Sequence, residues 1–208
     1  MNWSERELMQ LREQVAAQMS CARFAHTRGV EEMAAQLAAL YCPGQEGLLR
    51  AAALLHDITK EYDNKAQLAL LDACGIPLRE DERKAPKIWH AITAPPVILR
   101  EYPAFAHPVL LSAVRWHTTG HVGMTVEEAI LYLADVIEEG RQYPACVALR
   151  QRFFAPQPEK MPPEVRRLHL YRVVLESLRS MMVSLAEKGQ GACLDTEQAA
   201  ADLETRIY

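Results

Sequence analysis

The chain has 208 residues, half of them hydrophobic, which suits one globular domain with a sizeable core. A net charge of −4 gives no electrostatic basis for a nucleic-acid groove or an anionic membrane surface, and no apolar run approaches the ~20 residues of a membrane span. The five cysteines are scattered and form no C-x-x-C pair, so reduced thiols are expected rather than a disulfide framework or zinc knuckle.

The N-terminal stretch is charged from Glu5 onward and lacks an apolar signal core, so a cytoplasmic location is expected. No period-2 run bounded by turn residues is present, and the chain reads as nearly all helix. A first helix spans about 3–19 with Ser4 as N-cap and Leu8, Leu11 and Val15 on one face. A second covers about 22–41 and stops at Pro43-Gly44. The third, about 45–58, is apolar on most faces and belongs in the middle of a bundle. A fourth runs from about 64 to 74 and ends at Gly75. Pro86, Pro95 and Pro96 interrupt residues 79–102, where Pro95 or Pro96 would at most open a short helix. Helices follow at about 108–117 and 126–138; Thr125 and Glu128 form a capping box for the second. A short helix after Pro144, a proline-rich loop over 155–163, a long helix to about 188 and a short terminal helix over 195–206 complete the chain.

The chemistry concentrates in six side chains: His26, His56, Asp57, His90, His117 and Asp135. His56 and Asp57 are neighbours at a helix end, and Lys60 lies one turn on, where a cation would meet anionic oxygens. A buried carboxylate at Asp135 needs a partner, and a metal qualifies. Four imidazoles with two carboxylates suit Fe, Mn, Co or Zn better than Mg or Ca. Thr118 and Thr119 either offer hydroxyls and turn amides beside His117 or simply end the helix. Tyr143 either stacks on a base or anchors the turn into Pro144. His107 reads as a loop residue, His169 as part of a solvated helix face, and Met181-Met182 as core.

The order H, HD-x-x-K, H, H-T-T-G, D resembles the HD-domain metal-dependent phosphohydrolases. Within them it is most similar to the YqeK-type family, small bacterial HD proteins that hydrolyse diadenosine tetraphosphate symmetrically. The stretches carrying the resemblance are RFAHTRGVEEMA at Arg23, ALLHDITKEY at Ala53, IWHAITAP at Ile88 and AVRWHTTGHVGMTVEEAILYLADVIEEGRQYP from Ala113. The resemblance implies an all-α HD-domain bundle over 1–155 with a helical extension over 156–208 packed on the same domain. It makes His26, His56, Asp57 and Asp135 the ligands of a catalytic iron, one ion or two, with Mn, Co or Zn as substitutes. Arg23, His90, His117 and Arg141 would surround the substrate phosphates, His90 and His117 being open to a second ion bridged through Asp57. Asp57, Lys60, His90 and His117 would be catalytic, and Thr118, Thr119 and Gly189-Gln190-Gly191-Ala192-Cys193-Leu194 would help hold the nucleotide. Metal-assisted hydrolysis of diadenosine tetraphosphate to two ADP by a homodimer is the implied activity, on a dinucleoside polyphosphate or an ADP- or GDP-like nucleotide. The alternatives are an HD nucleotidase, a cyclic-nucleotide phosphodiesterase, or a metal- and nucleotide-binding regulator without turnover.

Overall fold

A computed structural model describes residues 3–208. Eleven α-helices follow one another among the described residues, and no strand occurs there: α1 (Glu5–Ala16), α2 (Cys21–Tyr41), α3 (Glu46–Leu55), α4 (Asn64–Ala73), α5 (Glu80–Arg83), α6 (Trp89–Glu101), α7 (Pro108–Trp116), α8 (Val126–Ile137), α9 (Pro144–Phe154), α10 (Pro163–Glu187) and α11 (Leu194–Ile207). Short 3₁₀ turns at Pro86–Ile88, Pro103–Phe105 and Pro158–Lys160 link some of them. None of the helices is long and apolar enough to cross a membrane.

Side-chain caps start several helices where the sequence places them. Ser4, Ser20, Asp63 and Thr125 each accept a backbone N–H at the N-terminus of α1, α2, α4 and α8, and Ser4 and Thr125 complete boxes with Glu7 and Glu128. Each such cap contributes about 1 kcal/mol.

The middle of the bundle is α3. Leu48, Leu49, Ala51, Ala52, Ala53, Leu54 and Leu55 are all buried, and the helix packs on α1, α2, α7 and α8. Each buried leucine contributes about 1.5–3 kcal/mol. Arg50, the one charged residue on the inner part of α3, pairs with buried Glu31, which Arg12 and Arg28 also contact. That cluster compensates a carboxylate that could not otherwise be buried.

The helix over Trp89–Glu101 corrects the expectation for this region. It runs straight through Pro95 and Pro96, which withhold the N–H groups that would serve Ala91 and Ile92. Burial of Ala91, Ile92, Ala94, Val97 and Ile98 along α6 offsets the local preference against proline. His169 is also corrected: it is half-buried, stacks on Phe153 and donates from Nε2 to the Phe153 carbonyl at 2.9 Å.

The last two helices share the central core, with Leu170, Val174, Leu178 and Leu203 buried in the same cluster as α3. They also pin the turn after α7. Asp202 accepts the Gly123 N–H at 2.9 Å, and Arg206 donates to the Met124 carbonyl at 3.0 Å. Gly120 has φ of 64°, and a Cβ there would stand 3.1 Å from that of Ala199. A side chain is excluded at this position by both conformation and space.

Candidate metal centre

The site forms where α3 stops. His56 caps the helix just past Leu55, and tight turns carry the chain onward, with the Lys60 N–H donating to the Asp57 carbonyl at 2.9 Å. Leaving the helix lets two adjacent side chains turn toward one point, which a continuous helix would hold about 100° apart. His26 comes to that point from α2 and Asp135 from the end of α8.

Four atoms converge there. His26 Nε2 lies 3.0 Å from Asp135 Oδ1 and 3.9 Å from Asp57 Oδ2. His56 Nε2 lies 3.4 Å from Asp57 Oδ2 and 3.9 Å from Asp135 Oδ1. The His56 ring is fixed by geometry. Its Nδ1 donates to the Ala53 carbonyl at 2.6 Å, and a carbonyl can only accept, so in the neutral ring the lone pair is on Nε2. Nε2 of His56 and of His26 are both buried and make no hydrogen bond, although carboxylate oxygens stand close by. Buried polar atoms are rarely left without a partner. His26, His56 and Asp57 stand close enough to hold one ion, as do His56, His117 and Asp135, and these imidazole and carboxylate donors suit Fe, Mn, Co or Zn.

A second group shares Asp57. Its Oδ1 lies 3.3 Å from His90 Nε2 and 3.8 Å from His117 Nε2, and those two nitrogens are 3.1 Å apart. His117 Nδ1 donates to the Val114 carbonyl at 2.7 Å, which again turns Nε2 inward. Asp57 therefore presents one oxygen to each group. Thr118 Oγ1 stands 3.1 Å from His117 Nε2 and 3.3 Å from His90 Nε2, whereas Thr119 is buried and donates to the Gly120 carbonyl. Of the two threonines, Thr118 faces the site and Thr119 stabilises the turn. Lys60 Nζ lies 3.2 Å from both ring nitrogens of His90. The turn after Asp57, not the phase of a helix, directs it there.

A buried network holds His90 in register with the HD turn. Gln67 Nε2 donates to the Thr59 carbonyl at 2.7 Å, Thr59 Oγ1 donates to the His90 carbonyl at 3.1 Å, and Thr93 Oγ1 donates to Gln67 Oε1 at 2.5 Å.

The charges sort accordingly. Burial works against an ionised Asp57, but His56, His90 and Lys60 outweigh it and hold its carboxyl well below the usual range. Asp135 behaves alike: burial is overcome by His26, His56 and Arg141. Burial opposes a charged His56, yet the two carboxylates raise its pKa. Burial pushes His90 far down and His117 down to about 4, so both keep a lone pair at neutral pH.

Arg23 donates from Nη1 to Asp57 Oδ2 at 2.8 Å, and Arg141 donates to Asp135 through its carbonyl (2.9 Å) and Oδ1 (2.6 Å). Both arginines are partly exposed. Tyr143 is exposed at the start of α9. Residues 189–193 lie between α10 and α11, and Cys193 belongs to the same buried apolar cluster as Leu71, Leu78, Ile88, Trp89 and Ile92. The hydrogen bonds of Cys193 and Leu194 run to Asp81, not to the six ligand-type residues. One buried carboxylate, Glu138, was not singled out in the sequence; its Oε1 lies 3.1 Å from His26 Nδ1. The signal for it was an acidic residue three places beyond Asp135, at the end of an apolar helical stripe.

The HD-domain family model matches residues 23–140. A symmetrical bis(5'-nucleosyl)-tetraphosphatase of Bacillus subtilis is 28% identical over 185 residues, 88% of this chain and 89% of the relative. One of the same name from Halalkalibacterium halodurans is 29% identical over 174 residues, 84% of each chain. A crystal structure from Clostridium acetobutylicum, named a predicted HD superfamily hydrolase involved in NAD metabolism, superposes with a TM-score of 0.81 over 99% of this chain and 100% of that one at 22% identity. That last likeness concerns the fold.

Proposed function

The chain belongs to the HD-domain family, and from that premise we propose that it hydrolyses diadenosine tetraphosphate symmetrically to two ADP. The observation that carries the reading is the convergence of His26 Nε2, His56 Nε2, Asp57 Oδ2 and Asp135 Oδ1 beside three cationic side chains. The substrate comes from the activity named for the Bacillus and Halalkalibacterium relatives. Iron is our reading of the metal, by resemblance; the donor set equally takes Mn, Co or Zn.

His26, His56, Asp57 and Asp135 would hold the ion, which would supply Lewis-acid polarisation of a phosphoryl oxygen and a more acidic water. Arg23 and Arg141 keep guanidinium N–H groups beyond those already donated to Asp57 and Asp135, and these bind phosphate oxygens in a planar fork. Lys60, between the HD turn and His90, neutralises charge on the departing phosphate. His90 and His117 bring Nε2 beside Asp57 Oδ1, where their lone pairs accept a hydrogen bond from the attacking water next to the phosphate or hold a second ion. Thr118 donates its hydroxyl to an oxygen of that phosphate. Phosphoryl transfer makes few covalent demands on a protein, so positioning and charge neutralisation account for most of the rate. The nucleotide-binding roles of 189–194 and Tyr143, a homodimeric state and a cytoplasmic location belong to the same proposal.

The test is product analysis by ion-exchange chromatography after incubating iron-loaded protein with diadenosine tetraphosphate. ADP as sole product is expected. ATP with AMP would refute the symmetrical register. No turnover by protein with bound metal would move the reading to another phosphorylated substrate or to a regulator.

A further inference from the structure

The imidazole of His26 is clasped between two carboxylates from one helix end. Asp135 Oδ1 stands 3.0 Å from Nε2, and Glu138 Oε1 stands 3.1 Å from Nδ1. Glu138 is 3% exposed. Its Oε2 accepts the Gly140 N–H, and Arg150 donates to the carbonyls of Ile137 and Glu138, which anchors the main chain. With Oε2 so engaged, Oε1 is left to accept from the ring.

His26 needs such an acceptor for a local reason. His56 and His117 each sit just past the end of a helix and donate Nδ1–H to a carbonyl three residues back. His26 lies inside α2, where the helix ladder already uses the preceding carbonyls. The acceptor must come from another element, and Glu138 is the residue that arrives. The approach depends on missing side chains. A Cβ on Gly29, three residues after His26 on α2, would overlap Glu138 Oε2, and one on Gly140 would stand 2.8 Å from it.

We propose that Glu138 is a positioning residue that fixes His26 in the Nδ1–H tautomer and turns Nε2 toward Asp57 and Asp135, and that Gly29 is the space that admits it. The inference rests on the metal-site reading above. An outer carboxylate on a ligating histidine is worth about 10- to 100-fold in metal affinity.

The experiment compares wild type, Glu138→Gln and Gly29→Ala, each prepared metal-free. Long-range ¹H–¹⁵N correlation spectra report which nitrogen of His26 carries the proton before any metal is added. Titration with Co²⁺, followed by its visible spectrum, reports affinity. The Nδ1–H tautomer is expected in wild type. Both variants should shift the ring toward Nε2–H and weaken Co²⁺ binding about 10- to 100-fold, with unchanged far-UV circular dichroism. Gly29→Ala is the stricter variant, because alanine suits a helix interior better than glycine and touches no ligand; if Glu138→Gln does not fold, it decides alone. An Nε2–H ring in wild type, or Co²⁺ affinity in Gly29→Ala equal to wild type, would overturn the role of Glu138. A wild-type protein that takes up no Co²⁺ would instead sink the metal-site reading, and the tautomer spectra would still judge Glu138.

Discussion

Replacing Asp57 by alanine tests the centre at its most connected point. Its two oxygens face different groups, Oδ2 toward His26 and His56 and Oδ1 toward His90 and His117. One substitution therefore removes a ligand from both. A ligand at 100 times its Kd stabilises the folded state by about 2.7 kcal/mol. The unfolding entropy of a 208-residue chain is about 0.4 kcal/mol per K. Wild type should then melt about 6 °C higher with saturating Mn²⁺ than with chelator. Asp57→Ala should show no such difference and no bound metal by elemental analysis, and it should lose hydrolysis with it. The metal-free variant also loses the partner of Arg23, which is 27% exposed and partly re-solvates. A cost of about 1–3 kcal/mol is expected, between the exposed and buried limits for ion pairs. The assay is differential scanning fluorimetry with and without EDTA, run beside the product chromatography. A variant that keeps stoichiometric metal and the same rise in Tm would refute the assignment of Asp57 as a ligand.

In the metal-free protein, His117 is held down to about 4 by burial and by His56, and His90 is lowered as well. Their folded pKa values lie below the unfolded value, so the unfolded chain takes up protons first. Stability present above pH 6.5 should fall as the pH drops toward 4, with raised His56 opposing in part. Urea midpoints at pH 7.5, 6 and 5 should decrease in that order, and a rise would contradict the burial argument. Thr59→Val removes the donor to the His90 carbonyl from a fully buried network. It should cost about 1–3 kcal/mol in urea unfolding, with a larger loss of kcat than of metal affinity; unchanged kcat would show that His90 does not depend on this tether. Thr125→Ala breaks the capping box of α8 and should cost about 1 kcal/mol by the same measurement, and a variant as stable as wild type would show that burial alone sets the start of α8.

Much of this protein is decided locally, and that part was legible in the sequence. Ser4 and Thr125 mark helix starts because a cap bonds its own next turn. The apolar run of α3 forces it to the centre because no face of it tolerates water. The six ligand-type side chains could be chosen because their order along the chain, H, HD-x-x-K, H, H-T-T-G, D, is far less common than any one histidine or aspartate beside an apolar stripe. Other features depend on what arrives from distant parts of the chain. Helix α6 survives two prolines only because its neighbours bury it, and local propensity points the other way. Lys60 faces His90 because α3 ends at Leu55 and the turn redirects it. Arg23 is tied to Asp57 across 34 positions, a pairing that spacing along the chain does not encode, whereas Arg141 folds back only six residues to Asp135 at the end of α8. Glu138 meets His26 across 112 positions through a gap kept open by Gly29. Side-chain chemistry and capping act within a turn or two and are written in order along the chain; close approach between helices is a property of the packed core and appears only once the core has formed.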